Sequence, residues 1–180
     1  MTRLLAAYES PLGTLTLASD GRGLTGLWIA GQKHHGAEGT PPPGAGGGDG
    51  ILEAARDWLD RYFAGERPDA AGVPLNPAGT LFRLAVWEFL KGIPYGRTVT
   101  YAGIAHAIDW PGGRAGRAPR AVGGAVGHNP VSIIIPCHRV VGANGDLTGY
   151  AGGIGRKAWL LEHEGADTSR LRMPGEGTAH

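Results

Sequence analysis

A chain of 180 residues with a formal net charge of +1 allows one compact domain or two small ones, and it is too nearly neutral to bind nucleic acid through its overall charge. Apolar residues make up 42% of it, which is enough for a real core. No stretch is apolar for the length that a bilayer requires, and the N-terminus lacks the features of a secretory signal. The single cysteine is typical of a reducing compartment, so we expect a cytoplasmic protein with no membrane partner.

The first part of the chain predicts an antiparallel β-sheet followed by a helix. Short apolar or alternating runs, punctuated by turn residues, occur at 4–8, 14–18 and 24–29. The glycine- and proline-rich segment 36–50 predicts a flexible loop. Apolar residues at helical spacing from Ile51 to Tyr62 predict a helix that stops near Gly65. Residues 70–79 are expected to form a linker between domains.

The second part predicts mostly helices. Thr80 and Thr100 can each cap a helix, the second carrying Ile108 inside, and Pro119 fits the first turn of a third helix over 120–126. Two short helices in succession indicate a helix-turn-helix, although the joining loop over 110–118 is longer than usual.

The remainder predicts one strand, one helix and a tail. The run Ile133-Ile134-Ile135 is typical of a short buried strand, and a final helix is expected from Ile154 to His163, with Gly165 beyond its end. We assign 1–76 to an N-terminal domain and 77–170 to a C-terminal domain, and expect 171–180 to be disordered.

The only cysteine, Cys137, follows the isoleucine run and Pro136. A lone thiol cannot form an internal disulfide and is a poor start for a metal site, so it is either a buried core residue or a nucleophile. Because proline interrupts strand pairing, Cys137 is expected where the strand ends, beside the imidazole of His138. This position favours chemistry over packing.

Pro136-Cys137-His138-Arg139-Val140 resembles the active-site signature of the O6-alkylguanine-DNA alkyltransferases. The resemblance runs from about Gly79 to Gly165 and includes, in the order of the family, Thr100-Tyr101-Ala102, Arg120 to Ala125, Asn129-Pro130, Gly149 to Gly153 and Lys157 to Glu164. The N-terminal part is similar only in outline. The resemblance implies an α/β (α+β) fold: a ribonuclease H-like sheet with a helix, then a mostly helical winged helix-turn-helix domain whose short strand carries the cysteine.

The resemblance also implies a reaction, irreversible transfer of an alkyl group from O6-alkylguanine in double-stranded DNA to Cys137, once per molecule. The base would be flipped out by a helix-turn-helix bound in the minor groove. No cofactor is implied, and we expect a monomer. Whether O4-alkylthymine also reacts stays open.

Catalytic roles are implied for five residues. Cys137 would be the nucleophile. His138 and Glu164, with a water, would take the thiol proton, and Tyr101 would protonate guanine N3 and turn the phosphate. Asn129 would tie the helix-turn-helix to the strand before Cys137.

Binding roles are implied for two further groups. Arg120 would fill the space left by the flipped base, while the small residues Ala121, Gly123 and Gly124 would let the helix backbone approach the minor groove; close helix packing is the alternative explanation for them. The base pocket would be lined by Tyr150, Ala151, Gly152, Val140 and Arg139.

Other interpretations remain open at this point. A cysteine hydrolase could use Cys137, His138 and Glu164 over many turnovers. A non-catalytic lesion binder or a transcription factor could share the helix-turn-helix, and the arginines at 114, 117, 120 and 139 could form a merely solvated face. The adjacent His34 and His35 do not suit one metal ion, so we expect no metal site.

Overall fold

The chain forms two compact units in a computed structural model, which describes residues 3–33, 41, 45, 47–108, 110 and 118–174. One unit comprises Met1–Ala78 and Pro130–Ile134, and the other Gly79–Asn129 and Ile135–His180. The mixture of an antiparallel sheet in the first unit and helices in the second confirms the predicted fold class.

The first unit is built on an antiparallel meander. Strands β1 (Leu4–Ser10), β2 (Gly13–Ser19) and β3 (Leu24–Ile29) pair in sequence order, as predicted. Helix α1 (Gly50–Phe63) begins at Asp49, whose carboxylate accepts from the backbone N–H of residues 51 and 52. Its buried residues, Leu52, Ala55, Trp58, Leu59 and Tyr62, recur at helical spacing and confirm the predicted apolar face.

The outer edge of β3 is covered by two segments from elsewhere in the chain. Leu24 donates to the Pro74 carbonyl at 2.7 Å, and Leu27 donates to the Pro130 carbonyl at 2.8 Å. The predicted linker over 70–79 is therefore partly wrong, because residues up to 78 belong to the first unit and residues 74–76 bond to Leu24 of its sheet. Covering an edge in this way satisfies backbone groups that would otherwise be open to another strand.

The second unit contains four helices among the described residues. Helices α2 (Leu81–Lys91) and α3 (Tyr101–Ala107) begin at threonine caps, and α4 (Pro119–Gly127) begins at a proline, as predicted; Ile108 lies just past α3 rather than inside it. Helix α5 (Ile154–His163) is followed by a left-handed glycine at 165, which is the predicted stop. Both α2 and α3 pack against α4.

The predicted strand over 133–135 is wrong. These three isoleucines are buried but lie in turns, and Ile133 has a positive φ of 71°. The strand lies further on, as β5 (Val140–Val141), and pairs in parallel with β4 (Val99–Thr100). The apolar run indicated burial and not strand pairing. Pro130 and Pro136 flank it and leave only five residues between them, which is short for a hydrogen-bonded ladder.

Several expectations fall on residues outside the described ranges. They concern His34, His35, Arg114, Arg117, most of the loop over 110–118 and parts of 36–50 and 171–180. Across the described segments, no helix combines the length and the apolar character needed to cross a membrane.

Candidate active site

Cys137 opens a single 3-10 turn, Cys137–Arg139, and its side chain is buried. Burial raises the pKa of the thiol, while a hydrogen bond from Asn129, the charge of Lys157 and nearby backbone N–H groups oppose that rise. Since burial dominates, and since only a thiolate is an effective nucleophile, attack requires a base that takes the proton.

His138 is the base nearest in the chain, and it is fully buried beside Glu164. Its Nε2 lies 2.6 Å from Glu164 Oε1. Burial alone would raise the pKa of Glu164, but hydrogen bonds and charges from His138 and Arg139 hold it well below the usual range. An ionised carboxylate can only accept, so Nε2 must carry the hydrogen in this pair.

The other ring nitrogen of His138 is available for chemistry. Nδ1 is buried and has no hydrogen-bond partner. Burial lowers the pKa of this histidine, which favours the neutral ring. A neutral ring with its hydrogen on Nε2 presents a lone pair at Nδ1, which is what a general base needs.

Glu164 caps the C-terminal end of α5, and its carboxylate is enclosed on all sides. It also accepts from the backbone N–H of Gly96 at 3.1 Å. Gly96 has a φ of 72°, and a Cβ there would lie 2.7 Å from the Glu164 carbonyl oxygen, so only glycine fits. The sequence indicated a turn at Pro94-Tyr95-Gly96 but gave no sign that it meets residue 164.

Arg139 binds the Glu164 carboxylate, a contact that the sequence did not indicate. Its guanidinium donates to both oxygens of Glu164, at 2.8 and 3.0 Å, and to the Ile93 carbonyl at 2.5 Å. These contacts fix the guanidinium against the carboxylate. The assignment of Arg139 to the base pocket stays a prediction.

Tyr101, on α3, and Lys157, on α5, both interact with Cys137. The Tyr101 hydroxyl donates to the Thr148 carbonyl at 2.9 Å, and burial together with the Cys137 charge raises its pKa to about 12. Lys157 donates to the carbonyls of Val140 and Thr148, and burial lowers its pKa to about 8. The carbonyl of Val140, one of the residues expected to line the base pocket, thus accepts a hydrogen bond from Lys157.

Lys157 is the main residue that sequence reasoning left without a role. It is fully buried, although lysine is rarely buried without a partner. Its charge and that of a Cys137 thiolate stabilise each other. The only signal in the sequence was a lysine among the apolar residues of a predicted helix.

The loop before α5 contains the residues expected to line the base pocket. Tyr150 is buried with a hydroxyl that has no hydrogen-bond partner, Ala151 is half-buried and Gly152 is buried. At Gly149, with φ 73°, a Cβ would lie 2.8 Å from the Tyr101 hydroxyl oxygen. The loop therefore depends on glycine to pass this close to Tyr101.

Asn129 connects the end of α4 to the residues before Cys137. Its side-chain amide donates to the Ile135 carbonyl at 2.8 Å and also reaches the thiol. The structure thus contains the type of link that the resemblance implied for this residue.

The exposed face of α4 carries the residues predicted to meet DNA. Arg120 and Gly124 are exposed, and Ala121 and Gly123 are half-buried. A Cβ on Gly123 would make only ordinary contacts with the Tyr101 ring, at 3.8 Å, and a Cβ on Gly124 would meet nothing within 4 Å. Close helix packing therefore does not explain these two glycines.

Comparison with known proteins gives the same assignment for both parts of the chain. Residues 81–166 match the family model described as "6-O-methylguanine DNA methyltransferase, DNA binding domain", and residues 4–77 match its ribonuclease-like domain. The chain is 49% identical to a methylated-DNA--protein-cysteine methyltransferase of Mycobacterium tuberculosis, over 87% of this chain and 88% of the relative. It is 46% identical to the protein of that name in Methanosarcina acetivorans, over 89% and 97%.

A solved structure extends the similarity to three dimensions. The crystal structure of Mycobacterium tuberculosis OGT in complex with DNA superposes with a TM-score of 0.74 at 47% identity, covering 93% of this chain and 94% of that one. Matches of this extent in both sequence and fold assign the chain to the 6-O-methylguanine DNA methyltransferase family.

Proposed function

We propose that this protein repairs DNA by transferring an alkyl group from O6-alkylguanine in double-stranded DNA to its own Cys137, once per molecule. The observation that carries the proposal is a set of three buried groups: the Cys137 thiol, the His138 ring with no hydrogen-bond partner at Nδ1, and the Glu164 carboxylate 2.6 Å from Nε2 of that ring. The names of the relatives, and a relative solved with DNA, support this choice of substrate.

The chemical step is a displacement at the alkyl carbon. His138 Nδ1 takes the thiol proton through a bridging water, while Glu164 holds Nε2–H and stabilises the imidazolium that forms. The sulfur forms a bond to the alkyl carbon, and the bond from that carbon to guanine O6 breaks. Asn129 and the Lys157 ammonium stabilise the thiolate during attack.

The leaving guanine needs a proton, and Tyr101 is the proposed donor to N3. Its raised pKa keeps the phenol protonated at neutral pH. In the free protein the Tyr101 hydroxyl donates its hydrogen to the Thr148 carbonyl. Guanine N3 must therefore replace that carbonyl as the acceptor when the substrate binds. The unpartnered hydroxyl of Tyr150 would gain a partner when the base enters.

Helix α4 is the proposed DNA-binding element. Arg120 lies at its exposed start, where it would fill the gap left by the flipped base. A Cβ on Gly124 would meet nothing within 4 Å, so packing inside the protein does not require glycine there. Its missing side chain would instead let DNA come close to the helix backbone. A backbone this accessible suits sequence-independent contact with a narrow minor groove.

Replacing Gly124 with leucine should separate DNA binding from folding. Leucine is a better helix former than glycine by nearly 1 kcal/mol, and its Cβ would meet nothing within 4 Å at this exposed position, so stability should hold or rise. Duplex binding should weaken by roughly tenfold or more, equivalent to about 1.4 kcal/mol, while the reaction with free O6-benzylguanine should persist. Fluorescence anisotropy with an unmodified duplex measures the loss.

Gly50→Leu is the matched control, since Gly50 is an exposed helical glycine of α1 with the same open surroundings. It should bind duplex like the wild type. Unchanged binding by Gly124→Leu would remove this face of α4 from the DNA contact.

The main competing function is a cysteine hydrolase that uses the same three residues. The two differ in turnover, because a thioether has no acyl carbon for water to attack. We expect a duplex with radiolabelled O6-methylguanine to transfer no more than one methyl group per chain, found by peptide mass at Cys137. Product well above one equivalent per chain would defeat the alkyltransferase and favour the hydrolase.

The reaction also bears on location. A nucleophilic thiol must stay reduced, and reducing conditions are those of the cytoplasm. We therefore include a cytoplasmic location in the proposal.

A further inference from the structure

The Glu164 carboxylate accepts more hydrogen bonds than the one that orients His138. Oε1 accepts from His138 Nε2 at 2.6 Å and from Arg139 at 3.0 Å, and Oε2 accepts from Arg139 at 2.8 Å and from the Gly96 N–H at 3.1 Å. Four donors fill the four acceptor positions of a carboxylate. Only one of them belongs to the proposed proton relay, so the others have a different task.

The strongest of these additional donors is Arg139, which is fixed in place. Its guanidinium makes a two-bond fork with the carboxylate and a third bond to the Ile93 carbonyl, and it lies 5.6 Å from the ring centre of Tyr95. The Arg139 side chain is 10% exposed and the Glu164 side chain 0%. A planar, permanently charged group suits such a fork, and lysine does not reproduce it.

A buried carboxylate next to a histidine would, by itself, favour the protonated imidazole. Opposite charges within about 4–6 Å raise the pKa of a histidine by stabilising its charged form. An imidazolium in the resting state has no lone pair and cannot take the thiol proton. A cation on the far side of the carboxylate reduces this effect, because it offsets the negative charge that the ring experiences.

We propose that Arg139 is a positioning residue for the alkyl transfer: its fork holds Glu164 ionised and offsets its charge, so that His138 rests as the neutral Nε2–H ring. This inference rests on the proposed function and gives Arg139 a role that it performs through Glu164 and His138. Glu164 then orients the imidazole without holding a proton on it. The lone pair at Nδ1 stays available to Cys137.

Two other titratable groups interact with the relay residues: Lys157 with His138, and Tyr150 with Glu164. The Lys157 charge also lowers the pKa of His138, after burial and alongside Arg139. Burial and nearby charge keep Tyr150 protonated, so it adds no charge at neutral pH.

The test is the pH dependence of transfer in Arg139→Met and Arg139→Lys. The probe is free O6-benzylguanine, whose benzylic carbon is reactive and needs no base flipping, in single-turnover assays from about pH 5.5 to about pH 9. With methionine, the His138 proton should be held more tightly, so the rise in rate with pH should move upward by about one unit or more. Lysine keeps a positive charge but cannot make the two-bond fork. The midpoint of the pH–rate curve for Arg139→Lys should therefore fall between those of the wild type and Arg139→Met.

A purely structural role would predict a different outcome. Loss of packing would lower the rate at every pH and leave the midpoint unchanged, and an unshifted midpoint in Arg139→Met would overturn the proposal. Arg83→Met, at a partly buried position of α2, is the control for removing an arginine. If the wild-type protein transfers no alkyl group, the proposed function itself fails, which is a distinct result.

A measurement on the unaltered protein guards against a variant that does not fold. Nitrogen-15 NMR distinguishes the imidazolium and the two neutral tautomers of histidine. At pH 7, His138 should be neutral with its hydrogen on Nε2. A protonated ring at that pH would overturn the proposal whatever the variants do.

Discussion

Cys137→Ser should abolish alkyl transfer and leave duplex binding intact. Removing the nucleophile of an enzyme costs on the order of 10⁴-fold or more in rate. Serine is nearly the same size, but its hydroxyl is far less acidic than a thiol, so His138 cannot generate the charged nucleophile. The single-turnover rate with labelled O6-methylguanine duplex measures the loss.

Binding should survive because Cys137 lies beneath the surface. Its exposure is 5%, and the exposed residues proposed to contact DNA lie on α4. Cys137→Ala is the control, since it removes the polar atom and creates only a small void. If both variants bind duplex and neither accepts the label, the thiol is the acceptor; loss of binding in both, with normal melting, would make Cys137 part of the DNA contact instead.

Most helices and strands could be predicted because their signals are local. Thr80, Thr100 and Pro119 mark helix starts through bonds or geometry within one turn, and left-handed Gly165 marks an end in the same way. The apolar face of α1 likewise depends only on spacing along that helix. Such features need no information from the rest of the chain.

The prediction over 133–135 was wrong because burial and strand pairing give the same apolar signal. Residues 130–132 pair with Leu27, more than a hundred residues earlier in the chain. The chain then turns through Ile133 at positive φ, which is costly for a β-branched residue and has no signature in the sequence. The reactive thiol consequently lies on a 3-10 turn and not at the end of a strand.

The resemblance implied the proton relay of Cys137, His138 and Glu164. It did not indicate the residues that surround the Glu164 carboxylate. The resemblance implied a place for Arg139 in the base pocket, but it gave no indication that Arg139 binds Glu164. Its partners at Ile93 and Glu164 are 46 and 25 residues away, and the glycine that completes the site is at 96. These contacts join residues that are far apart in the chain, so composition and spacing do not reveal them.

Among conservative substitutions in the candidate active site, Glu164→Gln should lower the free energy of unfolding most. It preserves size but leaves the Arg139 guanidinium buried without its counter-charge. Removing one partner of a buried ion pair costs about 3–5 kcal/mol. At about 2–4 °C per kcal/mol for a protein of this size, the melting temperature should fall by roughly 6–20 °C.

Activity should fall in the same variant, even at temperatures where it is folded. A glutamine stabilises an imidazolium far less than a carboxylate does, and it can present its amide hydrogens to His138 and so favour the wrong tautomer. Losses of about 10²–10⁴-fold are typical when general base catalysis is removed. Glu162→Gln, exposed on the same helix, should change stability by no more than about 0.5 kcal/mol and leave the rate unchanged.

The pH dependence of stability separates the ion pair from simple packing. The pKa of Glu164 is depressed in the folded protein, so its contribution is fully present above the unfolded value of about 4.3 and is lost as pH falls through and below it. The melting temperatures of wild type and Glu164→Gln should therefore differ most near neutral pH and converge in acid. Melting curves from about pH 7 to about pH 3 test this, and a gap that stays constant over that range would mean that the carboxylate charge contributes nothing and only its shape matters.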